Sequence, residues 1–290
     1  MSRRHVLMLL ALAAIWGSSF LFIEIALRDL APSTLILLRM ASGAVTLAAY
    51  IALSGRRFRP LAAYVWPLAL LGLVNTAVPF FLIAWGQQYI DSGLASVFNA
   101  SAPLFTALFA LGYDRSQRAT GMRLAGIVLG FAGVVLLVGF ELTGGHRAVA
   151  GGLAVVAASA CYAIGGLYAG RRFPGLPPSV LAFGALVWST LFVLPLGLAQ
   201  ATAIGWEAAL SVLYLGVAAT GAGYLLYFGL IAGAGASKAV LVTYLVPALA
   251  LLYGATLLDE EVTAVAVAGL ALVLTGVALG TGVGMGTVRR

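Results

Sequence analysis

Charge is what this 290-residue sequence has least of: Asp, Glu, Lys and Arg together make up 9% of it, against roughly a quarter in a soluble domain. With 62% hydrophobic residues, too few polar groups remain to cover a water-facing surface, so the solvent of most of this chain is lipid. Cysteine is nearly absent. Cys161 stands alone in an apolar stretch, which excludes a disulfide and a cysteine-based metal site. The two histidines, His5 and His146, sit at the ends of apolar runs, and neither GxSxG nor HExxH occurs. An intramembrane enzyme would need a nucleophile with a base, or a metal cluster, and the sequence supplies neither. No catalytic residue, metal or cofactor is expected. The glycine-rich tail at Gly282-Val283-Gly284-Met285-Gly286 is not a phosphate loop, because no strand precedes it and no helix follows.

What the sequence has in abundance is long apolar runs. Ten can be read, at roughly 5–27, 34–53, 64–86, 91–112, 121–140, 150–169, 179–200, 205–231, 237–257 and 262–283, each close to the roughly 20 residues a helix needs to cross a bilayer. They leave no room for a separate soluble domain. Short connections rich in Arg, Pro, Gly and Ser make consecutive helices antiparallel neighbours. A net charge of +7 would suggest nucleic acid in a soluble protein. Here the cations lie in short loops, where they set topology and touch anionic lipid, so no nucleic-acid partner is expected. With the N-terminus in the cytoplasm, thirteen of the 16 Lys and Arg fall on that side, only Arg28 and Arg147 fall outside, and Arg39 lies within a span. That bias predicts both termini in the cytoplasm.

The second half repeats the first. Gly72, Thr76, Ala95 and Pro103 recur 144 positions later as Gly216, Thr220, Ala239 and Pro247, and Gly126, Gly133, Leu136 and Gly139 recur at an offset of 143 as Gly269, Gly276, Leu279 and Gly282. Five crossings per half is an odd number, so the second unit enters the membrane upside down relative to the first. The predicted fold is an all-α polytopic membrane protein: ten transmembrane helices as two inverted-topology five-helix repeats, 1–144 and 145–290, forming one transport domain. Carriers of this kind hold their substrate near the midplane and work by alternating access.

Proline within a helix removes a backbone hydrogen bond, and in lipid the freed carbonyl must meet protein or a wet cavity. Pro79, Pro103 and Pro247 lie in mid-span, and Gly221 and Gly223 stand where the repeat aligns Gly223 with Pro79. These are the expected breaks and gating points. Polar and aromatic side chains at similar depth outline a substrate site: Trp16, Ser19, Asn75, Thr76, Phe80, Asn99, Ser101, Tyr162, Tyr168, Tyr224, Tyr227 and Tyr244. Each is equally at home as helix-to-helix glue. Trp66, Trp85, Tyr89, Trp188 and Trp206 lie near span ends and read as interfacial anchors. A cavity without charged groups takes a neutral or zwitterionic solute, and aromatic walls suit an amino acid with a large apolar side chain.

Two charges do lie inside spans. Glu24 and Arg39 are symmetric about the turn near Ala31-Pro32, which places them at equal depth on neighbouring helices. They are expected to form an ion pair, either as a clip between the first two helices or as an outer gate or proton-coupling point. The GxxxG spacings Gly126/Gly130, Gly166/Gly170 and Gly229/Gly233 read as packing. Spans 5 and 10 are then peripheral struts or a dimer face, for a monomer or weak homodimer.

Trp16-Gly17-Ser18-Ser19-Phe20, Arg39, the run Ala100-Ser101-Ala102-Pro103-Leu104-Phe105, and Val246-Pro247-Ala248 followed by Leu258-Asp259-Glu260-Glu261 resemble the EamA-type exporters of the drug/metabolite transporter superfamily. The resemblance extends over essentially the whole chain. It implies ten helices in two inverted repeats, a bacterial inner membrane location and efflux of small metabolites, most like the aromatic amino-acid exporters of that group. One departure stands out: the glutamate that usually follows the fourth helix is replaced around Asp114-Arg115, whereas the second half keeps Glu260. The rival expectations are a proton-coupled carrier of broad amphipath specificity and a membrane scaffold that moves nothing.

Overall fold

The computed structural model describes residues 1–55, 58–113, 121–141, 145–173 and 175–281, and among these no strand occurs. Ten long helical segments follow one another: α1 (Arg3–Leu27), α2 (Pro32–Leu53), α3 (Leu61–Gly86), α4 (Ser92–Ala110), α5 (Met122–Glu141), α6 (His146–Arg172), α7 (Pro178–Ala199), α8 (Trp206–Ala234), α9 (Val242–Leu257) and α10 (Ala264–Thr281). Seven of them are long and apolar enough to cross a membrane, and α5, α9 and α10 carry shorter apolar stretches. The region around Asp114-Arg115 and the glycine-rich tail lie outside the described residues.

Helix ends follow local chemistry. The Ser2 hydroxyl accepts the His5 N–H at the start of α1, and Pro32 and Pro178 occupy the first turns of α2 and α7, where a missing N–H costs nothing. Large apolar side chains such as Val45 (68% exposed) and Leu53 (89% exposed) point outward. On a soluble protein such a surface would aggregate, but in lipid it is the natural exterior.

Packing is not sequential. Helix α2 lies against α7 and α8, α3 against α6 and α7, α1 against α8 and α9, α4 against α6 and α9, and α5 against α10. The last contact is made through glycine: a Cβ on Gly133 would come within 2.8 Å of the Leu272 Cβ and 3.0 Å of the Gly269 carbonyl, and Gly276 faces Gly130. The glycine face of α5 is therefore occupied by α10. Gly166 and Gly170 meet nothing within 4 Å, so that pair does not mediate close packing.

Two helices are distorted at matching places. In α3 the residues Leu73–Ala77 form a π-helical turn directly before Pro79, and in α8 the residues Tyr214–Ala222 do the same before Gly223. Helix α4 is interrupted at Ala100-Ser101, just before Pro103. The expectation of a break at Pro247 is corrected: the interruption falls earlier, at Val240-Leu241, and α9 runs through Pro247 without ending. A proline bends a helix without ending it where neighbouring helices hold it, and here α1 does so. A Cβ on Gly17 would lie 3.0 Å from the Leu249 Cβ and 3.2 Å from the Val246 carbonyl.

Candidate functional site

The two π-helical turns position the site. A π turn leaves carbonyls without their usual helical partner, and such bulges gather at functional positions. In α8 the Ala219 carbonyl accepts the Trp16 indole N–H at 3.0 Å, and in α3 the Gly72 carbonyl accepts the Ser189 hydroxyl at 2.9 Å. Each distorted segment is thus bonded by a side chain from the other half of the chain. Gly223 makes room for the indole, since a Cβ there would come 2.7 Å from its Nε1.

Around this junction the aromatics converge. Trp16 and Tyr227 lie 5.3 Å apart between ring centroids, Phe80 and Tyr162 lie 6.1 Å apart edge to face, and Tyr224 stacks on Phe228 at 5.9 Å. Trp16, Tyr162, Tyr224 and Tyr227 are only half-buried.

In their midst is Arg39. It is 8% exposed, its Nε donates to the Thr220 hydroxyl at 3.1 Å, and its guanidinium carbon lies 4.3 Å from the Phe80 ring centroid. Thr220 in turn donates to the Leu215 carbonyl at 2.8 Å, leaving its oxygen free to accept from the arginine. The ion pair expected between Glu24 and Arg39 does not form. Symmetry about a turn sets depth but not azimuth: α2 directs Arg39 toward α8 and α3, while Glu24 on α1 lies by Gln87, with one carboxylate oxygen buried and unpartnered. The expectation of an uncharged interior is corrected by the same observation.

A buried cation needs partners to offset its desolvation, and Thr220 and Phe80 supply one hydrogen bond and one cation–π contact. No carboxylate of a described residue reaches the guanidinium, and its two Nη groups have no hydrogen-bond partner among the described residues.

Other candidates fall elsewhere. Tyr168 is corrected out of the group: it packs on Phe173 in a separate cluster with Leu61, Tyr64 and Trp188. Ser19 and Ser101 are buried and return their hydroxyls to their own helices, at the Ile15 and Phe98 carbonyls. Thr76 is buried. Asn75 packs on Gly165 of α6, where a Cβ would sit 2.5 Å from its own. Asn99 is half-buried, and its backbone carbonyl accepts the Ser159 hydroxyl at 3.3 Å. Tyr244 packs on the main core cluster. Trp66 and Trp206 are 78% and 71% exposed, as side chains at a bilayer surface would be.

One end of the bundle holds groups that helix-by-helix reading misses. Glu260, in the loop after α9, accepts the backbone N–H groups of Ser92 and Gly93 at 2.9 Å each and so caps the first turn of α4. Asp259 adopts φ +57° to turn the chain there. A recess of about 60 Å³, room for a few water molecules, lies between Asp91, Glu260 and Glu261. Burial, and then Glu260 and Glu261, push the Asp91 carboxyl above its ordinary value. An acid held more weakly ionised in the folded state loses stability as pH rises from its unfolded value through its folded one. Asp91→Asn, similar in size and at a position whose side chain makes no capping hydrogen bond, should therefore melt above the wild type at pH 7. The difference should shrink as pH approaches 4, and thermal unfolding in detergent across that range would check it.

A Salmonella typhimurium protein named "probable amino-acid metabolite efflux pump" is 29% identical over 95% of this chain and 94% of its own length. A Streptantibioticus cattleyicolor protein named "probable terminal-alkyne amino-acid exporter" is 29% identical over 91% of this chain and 89% of its own. A solved crystal structure aligns with a TM-score of 0.69 over 97% of this chain and 98% of that one, at 21% identity, a likeness of fold alone. The EamA-like transporter family model matches twice, over residues 3–139 and 149–281. The chain belongs to that family, within the drug/metabolite transporter superfamily, and is a membrane transporter, not an enzyme.

Proposed function

We propose that this protein exports amino acids with large apolar or aromatic side chains across a bacterial inner membrane, by alternating access between two inverted five-helix repeats with both termini in the cytoplasm. The observation that carries the reading is the aromatic group formed by Trp16, Phe80, Tyr162, Tyr224 and Tyr227, drawn from both halves and set beside the two π-distorted helices. Three further facts support it. The family model matches each half separately. The helix contacts keep their pattern when each helix is exchanged for the one five places on, α1 with α9 becoming α6 with α4, and α2 with α8 becoming α7 with α3. Relatives of similar length are named for amino-acid export.

Half-buried aromatic faces then grip an apolar side chain, and the π turns let α3 and α8 bend as one repeat rocks against the other. Exchange or uniport is the expected coupling, since no acidic side chain of a described residue belongs to the aromatic group. Glu24 on α1, with one carboxylate oxygen buried and unpartnered, is where a proton would act if flux needs a pH gradient. Counterflow in proteoliposomes tests the reading. Internal phenylalanine, tyrosine or leucine should accelerate entry of the labelled species several-fold, with or without a pH gradient, whereas glycine should not. Absence of counterflow for every amino acid would overturn the proposal and favour a scaffold. Flux that appears only with a pH gradient would favour the proton-coupled carrier.

A further inference from the structure

We infer that Arg39 is the protein's counter-ion for the transported solute, and that its guanidinium binds the carboxylate of an amino acid or related carboxylate metabolite. The inference rests on the transport reading above and adds to it which end of the substrate meets which side chain.

Arg39 is buried, and no described carboxylate neutralises it. Its contacts use one edge and one face. Nε is held by Thr220, whose own hydroxyl proton is committed to the Leu215 carbonyl of the π turn, and Phe80 covers one face of the plane. The Nη edge, with its parallel N–H groups, is left without a protein acceptor among the described residues. That edge matches the two oxygens of a carboxylate in a bidentate pair. A buried structural arginine would be expected to have its fork filled by protein. Here the held Nε and the covered face fix the direction of an unfilled fork.

The neighbours complete the chemistry. Phe80 and Thr220 come from α3 and α8, the two helices with π turns, and Tyr162 comes from α6. A carboxylate on the fork would leave the rest of the solute near Tyr162, which packs edge to face on Phe80, the ring that covers the guanidinium. Arg39 belongs to the first half and Thr220 to the second, so the contact that positions the guanidinium joins the two halves. The repeat has no second copy of this charge: α7, the counterpart of α2, contains no Lys or Arg, and Ala185 takes the place of Arg39 against Gly72. The site therefore has one cationic side, which suits a solute with one anionic end.

The test separates this inference from the transport reading. Binding of phenylalanine, 3-phenylpropionate, phenylalaninamide and phenethylamine to the full-length protein in detergent would be measured by tryptophan fluorescence or calorimetry, with chloride constant. The wild type should bind the two carboxylates at least ten-fold more tightly than the amide and the amine. Arg39→Gln should lose that preference while amide binding stays unchanged, and Arg39→Lys should retain part of it. Thr220→Val, which keeps the charge but frees Nε, should reduce the preference several-fold and serves if Arg39→Gln does not fold. Equal wild-type binding of carboxylate and amide, or a preference that survives Arg39→Gln, overturns the inference and leaves transport standing. Absence of any amino-acid counterflow in liposomes removes the transport reading and this inference together.

Discussion

Glu260→Ala is expected to lower the melting temperature of the detergent-solubilised protein by roughly 5–12 °C, from a loss of about 2–4 kcal/mol. The carboxylate accepts two backbone N–H groups at the start of α4, each at 2.9 Å. Ser92 and Gly93 are buried, so water cannot freely replace it. A buried donor left unmade loses its full desolvation energy rather than the small net worth of a typical hydrogen bond. Ionised acceptors at a helix N-terminus also gain from the aligned peptide dipoles. Glu260→Gln keeps one acceptor oxygen and should lose about half as much. Glu261→Ala, at a neighbouring exposed position without those contacts, should melt like the wild type. Because the cap joins the loop after α9 to α4, it is also a tie between the halves. Equal melting of Glu260→Ala and wild type would show that the cap contributes nothing.

Gly72→Val and Gly216→Val should each abolish recovery of monodisperse protein, the largest effect expected of any single substitution here. A Cβ at position 72 would stand 2.5 Å from the Ala185 carbonyl and 3.0 Å from the Trp188 Cβ, and one at position 216 would stand 2.9 Å from the Arg39 carbonyl and strike the Ser42 side chain. Backbone atoms cannot rotate away as a side chain can, so the helices must separate. Alanine at either position should cost about 1–3 kcal/mol, the usual range for overpacking. The two glycines correspond in the repeat and press on corresponding helices, α7 and α2, so the two losses should match. Gly139→Ala and Gly166→Ala are the controls. Nothing lies within 4 Å of either Cβ, and replacing a helical glycine by alanine there should leave stability unchanged or slightly raised. Size-exclusion profiles and melting curves of the four variants would decide the matter. Well-behaved Gly216→Val would mean that α2 and α8 are not in close contact.

The sites of these predictions differ in how far they are legible without coordinates. Gly72 and Gly216 stand out as repeat partners, and Pro79 and Gly223 mark the weakened helices, because a missing N–H or a missing Cβ acts on its own turn. The aromatic group is legible in part. Trp16, Phe80, Tyr162, Tyr224 and Tyr227 come together, yet Tyr168, equally aromatic and on the same helix as Tyr162, belongs to another cluster. Six residues separate the two along α6, and at 3.6 residues per turn they point in different directions. Nothing local says which direction is inward.

Arg39 and Glu260 make the same point with charge. Depth in the membrane follows from counting residues along a helix, and on that count Glu24 and Arg39 are level. Which partner a charge meets depends on which helices lie beside it, and in this fold consecutive helices are not the principal neighbours. So Arg39 meets Thr220, 181 residues away, and Glu260 meets Ser92, 168 residues away. Solvent, helical class and the weakened turns before Pro79 and Gly223 were determined by sequence alone, because apolar length, proline and glycine act within a turn or two, whereas the interruption at Val240-Leu241, ahead of an unbroken Pro247, was not. The unfilled arginine and the cap between the halves were decided only by tertiary structure, because they depend on how distant helices rotate and pack, which no short stretch of chain encodes.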